Sequence, residues 1–484
     1  MAKKSIAENY VYNLLYQILS IITPLVTTPY LTRVLGAENL GIHGYTLSIV
    51  TYFILFGSLG ISMYGQREIA YVQDDKNKRS NVFFELLFLR FITYIISFAV
   101  YFLFFCINDK YNIFYKILII EMLANAIDIA WYFQGIEEFR STVVRNLIVK
   151  VLGLISIFIF VKSYNDLVIY FVLYVLCDFI GNLSLWGYLK NQVKLNMKKL
   201  HIKRHIIPMI LLFLPQVAVQ IYTVLDKTMV GNITKNMGEV GYYDQAQKLV
   251  RALLLIVTAL GLVMNSRIAN SHSKNDKESI KYYMLQSISM VWLISMPLIM
   301  GILAVSDKFI PWYLGEGFND VIPLICATAP ILLAIGLNNV TGVQYLIQVG
   351  KQNVFTISVI IGALVNVVLN FVLINKIGTI GAVYSSVLAE FVILIVHLIY
   401  LRKKISVIDI IKPGIKNIIA ATIMFFIVRY ITIKLPISVF NTLSEIVLGA
   451  IIYLLMLYIQ KDDFSLGIIK KVFKVLLSKM KVAK

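Results

Sequence analysis

Run length is what most constrains this chain. Fourteen largely apolar stretches follow one another, near 9 to 33, 42 to 64, 83 to 107, 113 to 134, 142 to 162, 167 to 189, 207 to 231, 241 to 266, 280 to 305, 319 to 348, 354 to 375, 378 to 400, 414 to 433 and 441 to 460. About 20 apolar residues are what an α-helix needs to cross the hydrocarbon of a bilayer. In lipid every backbone N–H and C=O must be satisfied within the segment, so repeated runs of this length mean helices. The expected fold is all-α integral membrane, with about fourteen transmembrane helices. No polar stretch is long enough for a separate soluble domain, the longest being the basic connection from Lys190 to His205. With 59% apolar residues, 15% charged and a mean hydropathy of +0.79, soluble catalytic folds are excluded. The first run carries Asn13, Gln17 and Pro24 and continues to Leu35, too long for the h-region of a cleaved signal, and is expected to be the first span.

Orientation follows from Lys and Arg in the loops. With the N-terminus cytoplasmic, one side of the fourteen spans collects 31 basic residues and the other eight. The formal net charge of +19 is therefore mostly topology, and nucleic-acid binding is not required. Both termini are expected in the cytoplasm, at the plasma membrane of a bacterium. Beyond Asp463, apolar residues at 466, 469, 473, 476 and 480 make a helical stripe among lysines, the pattern of a basic amphipathic helix on an anionic leaflet.

An internal repeat is visible at an offset of about 200 to 214. Gly60-Ile-Ser-Met-Tyr-Gly-Gln-Arg67 is echoed by Gly261-Leu-Val-Met-Asn-Ser-Arg267, Gly41-Ile-His-Gly-Tyr45 by Gly238-Glu-Val-Gly-Tyr242, and Asp178-Phe179 by Glu390-Phe391. Six spans per repeat is an even number, so the halves are parallel repeats related by an axis along the membrane normal. The expected organisation is a six-helix bundle over 1–190, a basic cytoplasmic linker over 191–206, a second six-helix bundle over 207–404, two further helices over 405–462 and the amphipathic tail over 463–484.

Polar residues at membrane depth should face the protein interior or a water-filled path. Asn13 and Gln17 share one face of the first helix, and Gln216, Gln220 and Lys227 one face of the seventh. Asp128 is expected mid-helix on the polar stripe of helix 4, and Asp244, Lys248 and Arg251 line up on helix 8. Asp244 and Lys248, at i, i+4, can equally be an intrahelical ion pair. Asp178 and Glu390, at matching repeat positions, can simply hold each bundle together, while Lys150 and Arg429 are placed to snorkel to headgroups. The three cysteines, Cys106, Cys177 and Cys326, lie in apolar runs and the five histidines are scattered, giving no metal motif. Neither GxxxxGK nor GxGxxG occurs, so no cofactor is expected and work must come from an ion gradient, H+ or Na+.

The hairpin Pro29-Tyr-Leu-Thr-Arg33-Val-Leu-Gly36-Ala-Glu-Asn-Leu-Gly41 resembles the opening signature of Wzx-type polysaccharide flippases, in the MOP exporter superfamily that also holds the MATE drug antiporters and the lipid II flippases. Asp226-Lys227-Thr-Met-Val-Gly231 followed by Gly241-Tyr-Tyr-Asp-Gln-Ala-Gln247 is similar to the second-half motif of the same family. The resemblance implies translocation of an undecaprenyl-pyrophosphate-linked oligosaccharide repeat unit to the outer leaflet, alongside a polysaccharide polymerase and other assembly proteins. It points to Arg33, Arg67, Lys227, Lys248 and Arg251 as the anion path and to Asp128, Asp226 and Asp244 for ion coupling or for balancing those cations, while Asn13, Gln17, Gln216 and Gln220 are the polar stripe that the helical spacing marks for substrate. Other readings are a flippase of another lipid-linked glycan, a drug antiporter, or a membrane polymerase. The last would be expected to carry a substantial outer loop, and the longest one, near 306 to 318, holds only Asp307, Lys308 and Glu316.

Overall fold

The computed structural model describes residues 6–462 except 191, 195–199, 260 and 403, together with Phe464 and Gly467; side chains at 6–22, 139–141, 262 and ten positions within 211–223 are not described. The expected tail over 463–484 thus falls almost wholly outside the described residues. Seventeen α-helices follow in chain order, with no strand among the described residues. They are α1 (Ile6–Ser58), α2 (Ile61–Tyr71), α3 (Lys76–Tyr101), α4 (Asn112–Ala126), α5 (Ala130–Gly135), α6 (Phe139–Phe160), α7 (Leu167–Leu189), α8 (Lys203–Thr234) and α9 (Met237–Thr258). After these come α10 (Gly261–Ser273), α11 (Lys277–Leu314), α12 (Val321–Thr328), α13 (Ile331–Asn338), α14 (Gln352–Ile377), α15 (Thr379–Leu401), α16 (Val407–Thr432) and α17 (Val439–Ile459).

Local chemistry sets the helix ends. Asp75 caps α3 by accepting from the Asn77 and Lys78 amides, Asp276 caps α11 through the Ser279 amide, and Ser406 with Asp409 forms a capping box on α16. Within α1, Gly36 at φ 72° breaks the helical run, a backbone conformation glycine adopts without strain, so α1 covers the first two expected spans.

Among the described residues, ten helices are long and apolar enough to cross a membrane, or eleven if the bent pair Met237–Thr258 and Val263–Ser273 is one span. By this measure the count of fourteen is not reached. The shortfall has identifiable sources: Thr23–Tyr71 is one continuous stretch, and the fourth expected span is broken between α4 and α5. Apolar residues face outward in long stripes, as with Leu364, Val368 and Phe371 on α14 and Ile395 and Ile399 on α15. Such continuous exposed apolar surface marks contact with lipid. The chain is a multi-pass membrane protein.

Two compact units are present, Met1–Gly241 and Tyr242–Lys484. In the first unit α1 and the region where α8 meets α9 approach closely. A Cβ built on Gly41 would lie 1.6 Å from the Met237 carbonyl oxygen, and one on Gly241 2.1 Å from that of Ala37. Small residues allow backbones to approach in this way where lipid supplies no hydrophobic drive for association. One turn and more along, Ser48 Oγ lies 2.8 Å and Tyr52 Oη 3.2 Å from Thr228 Oγ1, and the Tyr45 hydroxyl donates to Asn232 Oδ1.

In the second unit α11 gathers α16 and α17 through polar contacts. Trp292 Nε1 donates to the Ile410 carbonyl and the Tyr453 hydroxyl to Asn417 Oδ1. Here two expectations are corrected. The supposed outer loop near 306 to 318 is largely helix, since α11 runs to Leu314. Lys308 is buried within it, 2.6 Å from Glu445 Oε1 on α17, and donates to the Thr432 carbonyl at the end of α16. Nor does Arg429 simply reach for headgroups: its Nη1 is 2.5 Å from Asp307 Oδ2.

Candidate functional site

The fourth span shows how this chain handles irregular backbone at membrane depth. Asp128 is not mid-helix. It lies in the break between α4 and α5, where its Oδ1 accepts from the Ala130 amide at 2.9 Å. A short carboxylate that bonds its own backbone competes with the helical ladder, which accounts for a break with neither Pro nor Gly. Three carbonyls around the break are taken by side chains: Ala124 by Asn182 Nδ2 at 2.9 Å, Asn125 by Arg90 Nε at 3.1 Å and also Nη2, and Ile127 by Trp186 Nε1 at 2.8 Å. Arg145 in turn donates to Asn182 Oδ1. Broken spans are tolerated where neighbouring side chains re-satisfy the backbone, and Arg90, buried at 1% exposure, does that here.

The five residues assigned to the anion path fall in both units, Arg33, Arg67 and Lys227 in the first and Lys248 and Arg251 in the second. Arg33 is exposed on α1 and donates to the Pro29 carbonyl at 2.8 Å. Arg67 on α2 is half-exposed, 3.1 Å from Glu68 Oε1 and over the rings of Tyr64 and Tyr71. Lys227 is half-buried on α8 beside buried Asp226. Lys248 makes a 2.7 Å ion pair with buried Asp244 one turn earlier, so that pairing is intrahelical, and the lysine remains half-exposed. Arg251 is exposed on α9 and makes no ion pair or hydrogen bond among the described residues. Gln220 is exposed; the side chains of Asn13, Gln17 and Gln216 lie outside the described residues. Glu390 accepts from Asn338 Nδ2 at 2.8 Å, the bundle-holding role open to it from its repeat position.

The structure also shows a cluster that sequence reasoning missed. A cavity of about 570 Å³ opens among α2, the first turns of α3 and the start of α8, with Tyr64, Arg67, Lys78, Glu85, Arg204 and His205 on its wall. Glu85 is fully buried and accepts from the His201 amide at 2.6 Å, from Arg204 Nη2 at 2.6 Å and from His205 Nε2 at 2.7 Å. The other ring nitrogen of His205, Nδ1, is 2.8 Å from the Tyr64 hydroxyl. The one available signal was Glu85 itself, a lone carboxylate inside the apolar run of helix 3.

Lipid-facing apolar stripes and a broken span whose carbonyls are taken by side chains of neighbouring helices together describe a multi-pass membrane protein. The chain belongs to the polysaccharide biosynthesis protein family, which it matches over residues 6–264. It is similar to the "Putative O-antigen transporter" of Escherichia coli (strain K12), 21% identical over 411 residues that cover 83% of this chain and 97% of that protein. Among solved structures it superimposes on the lipid II flippase MurJ in an inward closed conformation, with a TM-score of 0.75 and 16% identity over 94% of this chain and 99% of that one. An inward-facing multidrug resistance MATE family transporter of the MOP superfamily matches with a TM-score of 0.63 and 13% identity, over 81% of this chain and 94% of that one. The likeness seen in the first hairpin, to the Wzx-type branch of the MOP exporters, is thereby borne out.

Proposed function

We propose that this chain is a flippase carrying undecaprenyl-pyrophosphate-linked oligosaccharide repeat units from the cytoplasmic to the outer leaflet of a bacterial plasma membrane. Alternating access of two six-helix bundles, 1–190 and 207–404, moves the substrate, and an H+ or Na+ gradient drives it. Both termini lie in the cytoplasm, and a polysaccharide polymerase receives the product.

The observation that carries this reading is Arg251, exposed without an ion pair one turn beyond Lys248 on α9. Placing a charge at the centre of a spanning helix costs about 2.5 to 3.5 kcal/mol on insertion scales. An intramembrane guanidinium with no protein partner among the described residues is best explained by a ligand anion, and a pyrophosphate suits its bidentate donors. A cationic drug would be repelled there. The test is Arg251→Gln, with surface glycan measured at matched protein levels. Loss of surface glycan, with lipid-linked intermediates accumulating inside the cell, is the expected result. Normal export in the Arg251→Gln, Lys248→Gln double variant refutes the anion-path assignment.

A further inference from the structure

We infer that Tyr64, His205 and Glu85 form a proton-binding site through which transport couples to the proton gradient; this rests on the ion-driven flippase reading above. The sequence pointed to Asp128, Asp226 and Asp244 for coupling. Of these, Asp128 serves the turn that breaks the fourth span and Asp244 is held by Lys248. The buried triad differs in that its three members come from three elements: Tyr64 from α2, Glu85 from α3 and His205 from α8.

The geometry fixes where a proton goes. Arg204 Nε lies 3.3 Å from His205 Nε2 but 3.2 Å from Glu85 Oε2, and the carboxylate is the stronger acceptor. His205 Nε2 is left to donate to Glu85, so in the neutral ring Nδ1 is the acceptor, filled by the Tyr64 hydroxyl. A proton arriving from the water-accessible cavity binds at Nδ1. The Tyr64 hydroxyl then rotates to accept from Nδ1–H and turns its own hydrogen toward the cavity. One proton is gained, no other bond is made or broken, and the neutral contact becomes an imidazolium paired with a buried carboxylate. The other charged groups around the ring are Arg204 and His201 on the α8 side, Lys78 on α3, and Arg67 and Glu68 on α2.

Proton binding is tied to movement because the triad joins elements with a hinge beside them. α2 leaves α1 through Leu59 and Gly60, both left-handed at φ 42° and 72°, and a Cβ on Gly60 would meet Phe213 of α8 at 3.3 Å. The protonated triad holds the start of α8 onto α2 and α3. The deprotonated one leaves that hold to Arg204 and neutral hydrogen bonds, so proton occupancy biases the position of α8.

The experiment uses the full chain in nanodiscs and proteoliposomes. With ¹⁵N-labelled histidine, the ring resonances that disappear in His205→Gln identify His205, and its protonation state is followed across a pH series. In parallel, flipping of a labelled lipid-linked oligosaccharide is measured with and without a pH gradient. A His205 protonation step, displaced in Tyr64→Phe, together with a gradient response that His205→Gln abolishes and Tyr64→Phe shifts in pH, is the expected result. Tyr64→Phe guards against misfolding of the harsher variant. A wild-type response retained in full by His205→Gln overturns the site while leaving the flippase reading intact. If the wild type flips no lipid-linked oligosaccharide, that reading fails, and the resonance decides alone: a ring with no protonation step overturns the proton site.

Discussion

Replacing Lys308 by Met should destabilise the second unit severely, whereas replacing Lys308 and its partner together should not. Glu445 is fully buried and Lys308 nearly so, 2.6 Å apart, and the ammonium also donates to the Thr432 carbonyl that ends α16. Removing one member of a buried pair leaves an uncompensated charge, at about 3–5 kcal/mol, while replacing both with apolar groups of similar volume is often neutral or better. Lys308→Met strands the Glu445 carboxylate, whose Oε2 already has no hydrogen-bond partner, while the Thr432 carbonyl keeps the Leu435 amide at 2.9 Å. At about 1.4 kcal/mol per decade, that is roughly two to three and a half orders of magnitude in the unfolding equilibrium. Glu445→Gln keeps a neutral acceptor for the ammonium and should cost less, about 1.5–3 kcal/mol. The Lys308→Met, Glu445→Leu double variant should return to within about 1 kcal/mol of wild type. Unfolding midpoints of the full chain in detergent micelles, followed by near-UV circular dichroism, measure all four proteins. The reasoning fails if Lys308→Met unfolds at the wild-type midpoint, or if the double variant is as weak as that single one.

Three further outcomes follow from the geometry. Gly41→Ala should disrupt the crossing of α1 with residues 237–241, because its Cβ would sit 1.6 Å from backbone, and should lower yield and thermal stability far more than Gly301→Ala, where a Cβ meets nothing within 4 Å. Asp128→Asn retains an oxygen for the Ala130 amide and should be as stable as wild type, whereas Asp128→Ala should lose about 1 kcal/mol; a loss of flipping in the stable Asn variant would return Asp128 to the coupling mechanism. Cysteine at Asn275, in the exposed turn after α10, should be shielded from an impermeant thiol reagent in intact cells and cysteine at Asn236 labelled; the reverse pattern would invert the topology.

The helical membrane class was legible because it is a property of composition along the chain. The intrahelical option for Asp244 and Lys248 was legible for a related reason, since i, i+4 spacing is local. What was not legible is whatever depends on which helices touch. Lys308 looked like a loop cation because its neighbours Ser306 and Asp307 are polar, yet its partner lies 137 residues further on. The break at Asp128 carries no Pro or Gly, and only the Asn182, Arg90 and Trp186 donors from two other helices make it tolerable. Glu85 and His205 are 120 residues apart, one in an apolar run and one at the edge of a basic linker.

These cases bear on how an intramembrane charge should be weighed. Counting charges at membrane depth suggested a single polar path, but the structure sorts them into two kinds. Arg90, Lys308 and Glu390 are buried and answered by a carbonyl, a carboxylate or an amide from a neighbouring helix. Arg251 stands exposed on α9 with no ion pair among the described residues, whereas Lys248 one turn earlier is answered by Asp244. The insertion cost is the same for both kinds, so cost alone cannot distinguish support from transport. Partnership can: neutralising an answered charge leaves its partner buried and alone, and the loss falls on folding, whereas neutralising Arg251 removes a solvation penalty without stranding anything. Arg251→Gln should therefore be at least as stable as wild type while failing in export, a combination that none of the answered charges can give.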